Sequence, residues 1–318
     1  MDKKDSKKFE ELYWKEDAYA RRTFEEIEKL IQCYRDAYIN DLSEERKKIF
    51  FEDKYESSFQ LNAYNKDYAE KLLRDVNLSP NSYSTRSWIL TNGMYLTYKN
   101  NDVGILKNAL HTLNRLTYGE MLSTSGGYNH SGSFVEVIYA FADGDVELVK
   151  RYLPVIHGLA DNKTYLFFRP GCNLIMGMIY ENSKWIEEAQ NQALKFCERK
   201  SSAKNDILVV EYLLALNRKE IDKASSLLQE ITDNYRKMNW LFNFKNGFLK
   251  FFGVYIHGLY YFARFVLPDE LFRQMNVPEH SVFWQDFDLN TKKMNFSTGK
   301  SIFKWEGNCT GLNRLFEF

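Results

Sequence analysis

Apolar residues Val137, Ile138, Phe141, Val146, Val149, Tyr152, Leu153 and Ile156 recur at three- and four-residue steps through the stretch VIYAFADGDVELVKRYLPVI. That is the period of an α-helix with one buried face. The run is broken once, by the turn-forming Asp143-Gly144-Asp145. Two short helices joined by a tight turn are therefore predicted over 137–156. The arrangement returns in YLTYKNNDVGILKNALHTL, GMIYENSKWIEEAQNQALKF and LLALNRKEIDKASSLLQEI. With Asp145-Val146 as anchor, the equivalent pairs are Asp102-Val103, Lys184-Trp185 and Glu220-Ile221, roughly forty residues apart as in two-helix repeats. An aromatic or leucine precedes each anchor by five residues: Tyr98, Phe141, Tyr180 and Leu216. One such hairpin leaves an apolar face in water, so neighbours must stack. The pattern predicts an all-α fold, a solenoid-like, TPR-like row of helical hairpins over 81–275.

The flanking segments lack the anchor. Residues 9–39 read as one long amphipathic helix, with Tyr13, Tyr19, Phe24, Ile27, Leu30, Ile31 and Tyr34 on its apolar side. Ser43 is placed to cap a second helix running to Leu61, and a third spans Asp67 to just before Pro80. Residues 1–80 are thus expected to form an N-terminal helical cap over the first hairpin. Residues 276–318 are expected to form an irregular tail packed on the hairpins, with a weak β-hairpin turning at Thr298-Gly299.

The stretch GFLKFFGVYIHGLYYFARFVL, residues 247–267, approaches the length of a membrane span. Lys250, His257 and Arg264 fall seven residues apart and give it a polar stripe, so a buried amphipathic helix is expected and no membrane partner.

Charge and composition narrow the functional classes. Lys plus Arg and Asp plus Glu are both 43, so no global basic field gathers nucleic acid, and none is expected as a partner. Cys33, Cys172, Cys197 and Cys309 form no C-x-x-C and read as free thiols of a reducing compartment. The charged start MDKKDSKKFEEL lacks a signal-like apolar run, and a cytoplasmic protein is expected.

Candidate chemistry is sparse. His111, His130, His157, His257 and His280 include no metal-binding H-E-x-x-H, and no serine lies in G-x-S-x-G. His157 and His257 lie in apolar contexts and read as core or groove residues. The loop LSTSGGYNHSGS imitates a P-loop at Gly127 and Gly132-Ser133 but lacks its lysine, so it reads as a flexible connection. Ser133 and Glu136 have capping-box spacing at the start of the central hairpin. Asp143 and Asp145 read as the end of one helix and the cap of the next. The expectation is a protein that is not an enzyme and holds no cofactor or metal.

Binding to a protein is the remaining class, since helix-pair stacks present extended recognition surfaces. Tyr128 and His130 in the glycine-rich loop are candidate contacts, as are Trp240 and Phe242 in the connector YRKMNWLFNFKN. For the last two, burial in the core is the alternative.

Residues 133–275 resemble the immunity protein 49 family of bacterial polymorphic-toxin systems. The features carrying the resemblance are the acidic turn in YAFADGDVELVKRYL, the hairpin LLALNRKEIDKASSLLQEI and the helix ending HGLYYFARFVLPDELF. The resemblance implies an all-α cytoplasmic antidote that binds a cognate toxin domain and blocks it by steric occlusion, with no catalytic motif to transfer. The long N-terminal segment and the tail after Pro278 lie outside the match. The alternative from the residues alone is a helical-repeat adaptor or peptide-binding regulator without a toxin partner.

Overall fold

The computed structural model describes residues 3–15, 21–41, 44, 82–122, 133–161, 167–238 and 247–318, and among them every regular element is helical. The fold is all-α. In chain order the helices are α1 (Lys3–Lys15), α2 (Phe24–Asn40), α3 (Ser82–Asn100), α4 (Val103–Leu122), α5 (Phe134–Asp143), α6 (Val146–Tyr152), α7 (Phe168–Ile179), α8 (Ser183–Cys197), α9 (Lys204–Asn217), α10 (Ile221–Asn234), α11 (Val254–Val266), α12 (Asp269–Phe272) and α13 (Gln285–Lys293). Short 3-10 turns occupy Val155–His157, Tyr235–Lys237 and Gly247–Lys250, and a longer 3-10 segment spans Gly307–Phe316.

One turn geometry closes four hairpins. One or two positions past the first helix of each, a residue adopts left-handed backbone: Asn101 (φ 51°), Gly144 (φ 83°), Glu181 (φ 49°) and Lys219 (φ 58°). The following N–H reaches back five residues, from Asp102 to Thr97 O (3.3 Å), Asp145 to Ala140 O (2.9 Å), Asn182 to Gly177 O (3.2 Å) and Glu220 to Ala215 O (2.9 Å). This is a Schellman cap, which satisfies carbonyls that a helix end leaves without partners. Three of the four following residues also start the next helix. Asp102 Oδ1 accepts from Gly104 N (2.9 Å), Asp145 Oδ1 from Leu148 N (3.0 Å) and Asn182 Oδ1 from Trp185 N (3.1 Å). The third turn is therefore Asn182-Ser183 and not Lys184-Trp185, because Asn182 carries the short acceptor side chain that an N-cap requires. Asp143 and Asp145 take the helix-end and cap positions that their spacing predicts.

The chain divides into two compact units, one of Met1–Trp14 and Asn129–Thr298, the other of Lys15–Tyr128 and Gly299–Phe318. In the first unit three hairpins pack in succession: α5 touches α7, and α7 and α8 touch α9. Helix α9 is buried almost all round, from Leu208 to Leu216 apart from Glu211, as suits a helix between neighbours. Helix α11 lies mainly on α5 and also meets α7 and α10, so the chain itself covers that side of the row. Residues 254–263 of α11 are all buried. Helix α1 docks in the same unit through Phe9, whose ring meets Phe248 (5.3 Å) and Phe251 (5.7 Å) edge-on.

In the second unit, α3 and α4 form one hairpin, and α2 and the 3-10 segment pack on it. The segment before that 3-10 stretch was expected to form a β-hairpin, and it does not. Lys300 N–H is accepted by Asn108 Oδ1 and Ile302 N–H by Thr112 Oγ1, both at 2.9 Å, so side chains one turn apart on α4 take the place of a partner strand.

Two further expectations are corrected. Residues 9–39 are two helices, because Thr23 and Glu26 form a capping box that starts α2: Thr23 Oγ1 accepts from Glu26 N and Glu26 Oε2 from Thr23 N. The polar stripe on 247–267 is not continuous, since α11 begins at Val254 and His257 is fully enclosed. Among the described residues no helix is long and apolar enough to cross a membrane. The two helices predicted between Ser43 and Pro80 lie outside the described residues.

The left-handed turns make opposite predictions by position. An added Cβ at Gly144 would stand 2.2 Å from Phe296 O. Gly144→Ala should lower stability by about 2–4 kcal/mol in denaturant titration, combining left-handed strain with overpacking. Glu181→Gly and Lys219→Gly should each raise it by roughly 0.5 kcal/mol, the relieved strain exceeding glycine's extra chain entropy.

Candidate functional site

Two surface features of the first unit are built by identifiable side chains. The first is the loop after α6. Pro154 ends that hairpin's helical run, so Ile156 leaves the buried face its spacing suggested and lies 72% exposed beside Val155, 52% exposed. The loop is held at both ends. Tyr180 donates its hydroxyl hydrogen to Leu153 O (2.9 Å). At the other end the buried Asn173 accepts from Ala160 N (2.8 Å) and donates to Ala160 O (3.0 Å), while Arg169 Nε donates to the same carbonyl (3.1 Å). Asn173 is oriented in turn by Gln192 Oε1 (2.7 Å). A buried amide that reads both backbone polar groups of one residue fixes that residue as a strand partner would. Between the clamps, Val155–His157 forms a 3-10 turn that carries two aliphatic side chains into solvent.

His157 sits on this turn and is exposed, so of the two positions expected for it, core or groove, it does not take the core; partial burial lowers its pKa. His257 does lie in the core. Its ring is sandwiched between Phe252 (5.0 Å) and Phe283 (4.1 Å), and its Nε2 accepts from Trp284 N (3.2 Å).

The second feature is a pocket of about 290 Å³ lined by Phe141, Gly144, Val146, Tyr261, Arg264, Phe265, Asn295 and Phe296. The turn between α5 and α6, the end of α11 and the residues after α13 converge to form it. Tyr261 and Phe296 meet edge to face at 5.4 Å, and Phe141 lies 6.0 Å from Phe265. The Arg264 guanidinium stands over Phe296 (5.5 Å) and Phe272 (5.7 Å), and its NH1 pairs with Asp269 Oδ1 at 2.7 Å.

All four cysteines are free thiols, as their spacing predicts. Of the predicted contacts, Tyr128, His130, Trp240 and Phe242 all lie outside the described residues. The clamped loop and the pocket were not singled out from sequence. Pro154 and Gly158 bracketing Val155–His157 were the available signal for the loop. The pocket had none, because its walls come from three distant segments. No family model, curated protein or solved structure matches the chain.

Among the carboxylates, Asp206 in the first turn of α9 is 2% exposed, and its Oδ1 meets no hydrogen-bond partner among the described residues. Burial raises its pKa from 3.8 to about 6. A group that binds its proton more tightly when folded stabilises most at low pH, and that contribution is lost as pH rises from about 4 to 6. Asp206→Asn should therefore be more stable than the parent by about 1–2 kcal/mol at pH 7. The difference should vanish below pH 4 in thermal unfolding followed against pH.

Proposed function

We propose that this chain is a protein-binding antidote: an immunity protein that engages a cognate bacterial toxin domain in the cytoplasm and occludes it, without catalysis of its own. The observation that supports a binding role is the clamped loop. Solvent-exposed aliphatic residues on a freely moving loop would lose conformational entropy on docking, whereas residues already fixed lose little. Val155 and Ile156 are fixed by hydrogen bonds at Leu153 and Ala160, so the apolar tip is organised before any partner arrives. Buried Asn173 is committed to a loop whose tip makes no contribution to the core. A recognition surface accounts for that expenditure of polar groups.

The identity of the partner rests on the resemblance of residues 133–275 to the immunity protein 49 family. An interface of roughly 1,600 Å² with a few desolvated apolar anchors is sufficient for tight neutralisation, and Ile156 is suited to be one of them. With 43 basic and 43 acidic side chains, association would be guided by local patches and not by net charge, and nucleic acid is not proposed as a ligand.

Affinity capture of the full chain from its native cells should return a stoichiometric toxin domain, and co-expression with that domain should restore growth. Ile156→Glu should weaken the complex at least about ten-fold, or 1.4 kcal/mol, while leaving the melting temperature within about 2 °C, because the side chain is exposed. A captured partner without toxicity, or a toxin whose action is not relieved, would contradict the proposal.

A further inference from the structure

The pocket beneath Arg264 is separate from the clamped loop and carries an assignment of its own. We propose that it is a binding site for a small aromatic monocarboxylate, a single ring with its carboxylate one or two carbons away. Size sets the first limit. At about 290 Å³ the pocket lies at the lower edge of small-molecule sites, so it admits one ring and excludes a nucleotide or a flavin. Its walls set the second. Phe265, 40% exposed, and the half-buried Phe296 present ring surface that an aromatic guest can meet edge-on or offset-stacked, while the buried Phe141 and Tyr261 complete the lining.

Charge selects among aromatic guests. Arg264 is the one ionised side chain in the lining, so a cationic guest is disfavoured and an anionic one gains a partner. A guanidinium has five donors in a planar fork that matches a carboxylate. Only NH1 is engaged by a side-chain acceptor, Asp269 Oδ1, and the remaining donors meet no acceptor among the described residues. Asp269 is itself mostly exposed, with 59% of its side chain in solvent, so water screens the pair and the guanidinium can accept a second carboxylate.

The backbone fixes one wall of the pocket. Asn295 and Phe296 are consecutive non-glycine residues in left-handed conformation, φ 50° and 57°. Left-handed residues likewise end the hairpin helices at Asn101, Glu181 and Lys219, so this pair is the cap of α13. Here it is held by Asn295 N to Lys292 O (3.0 Å) and Phe296 N to Thr291 O (2.9 Å), and by the close seat of Phe296 O over Gly144. Its effect is to set the Phe296 ring against both Tyr261 and Arg264 as one wall of the pocket.

The test is calorimetric titration of the full chain with phenylacetate, and with phenylacetamide as its neutral counterpart. Phenylacetate should bind with a Kd below about 1 mM, a realistic strength for a ligand of this size. The amide should bind at least ten-fold more weakly, and Arg264→Gln should remove that difference. Asp269→Asn removes the competing negative charge while keeping an acceptor for NH1 and should tighten phenylacetate binding two- to five-fold, a gain that a damaged fold could not produce. Absence of phenylacetate binding, equal affinity for acid and amide, or unchanged or weaker binding by Asp269→Asn would each overturn the assignment.

Discussion

The close approach of α11 to α5 at Gly258 is the constraint on which the first unit depends. An added Cβ there would stand 2.1 Å from the carbonyl oxygen of Ile138, so the two backbones are as near as helices without an intervening side chain allow. Aromatic pairs flank the crossing, Tyr139 with Tyr255 at 4.8 Å and Phe141 with Phe262 at 4.9 Å. Once α11 is fixed, other elements dock on it with their polar groups satisfied. Tyr212 of α9 donates to Leu259 O (2.7 Å), Tyr235 donates to Phe252 O (3.0 Å), and Gly253 N bonds Val282 O (2.7 Å). Trp284 joins from the following segment, bonding Phe251 O through its indole and His257 through its backbone. The hydroxyls of the buried Tyr212 and Tyr235 each meet a carbonyl, which avoids the desolvation cost of an unpaired polar atom.

Both candidate surfaces follow from that arrangement. Helix α11 covers one side of the hairpin row, so the recognition surface proposed for a protein partner lies instead on a loop between hairpins, held by Asn173 and Tyr180. The end of α11 carries Tyr261, Arg264 and Phe265 to the α5–α6 turn, where Gly144 leaves room for Phe296. The glycine that permits the turn also permits the pocket wall. Local chain geometry and site geometry are the same feature here.

The central hairpin was legible in the sequence because turn chemistry and helical period agreed: Asp145 has a side chain that caps, and Gly144 accepts positive φ. For the third turn the helical period alone points to Lys184-Trp185 and does not single out Asn182 as the cap. The left-handed Glu181 and Lys219 were not legible, since neither residue favours that conformation and only the surrounding helices impose it. Thr23 and Glu26 did announce the start of α2, but an apolar period running through both α1 and α2 masked the signal. Ile156 continued a helical period that Pro154 had already ended. His257 could be read as a core residue from its neighbours, while His157 in similar local sequence is exposed, because burial depends on what packs from elsewhere in the chain. For the same reason the pocket was hidden: no local pattern brings Phe141, Arg264 and Phe296 together.

The most direct measurement of the central claim is the stability of Gly258→Ala in the full chain, by thermal and denaturant unfolding. The crossing at Ile138 predicts a loss of at least about 2 kcal/mol and a midpoint lower by roughly 5 °C or more, although alanine is the better helix former by about 1 kcal/mol. Unchanged or increased stability would mean that α11 and α5 do not meet backbone to backbone, and the organisation of the first unit around α11 would fall with that contact.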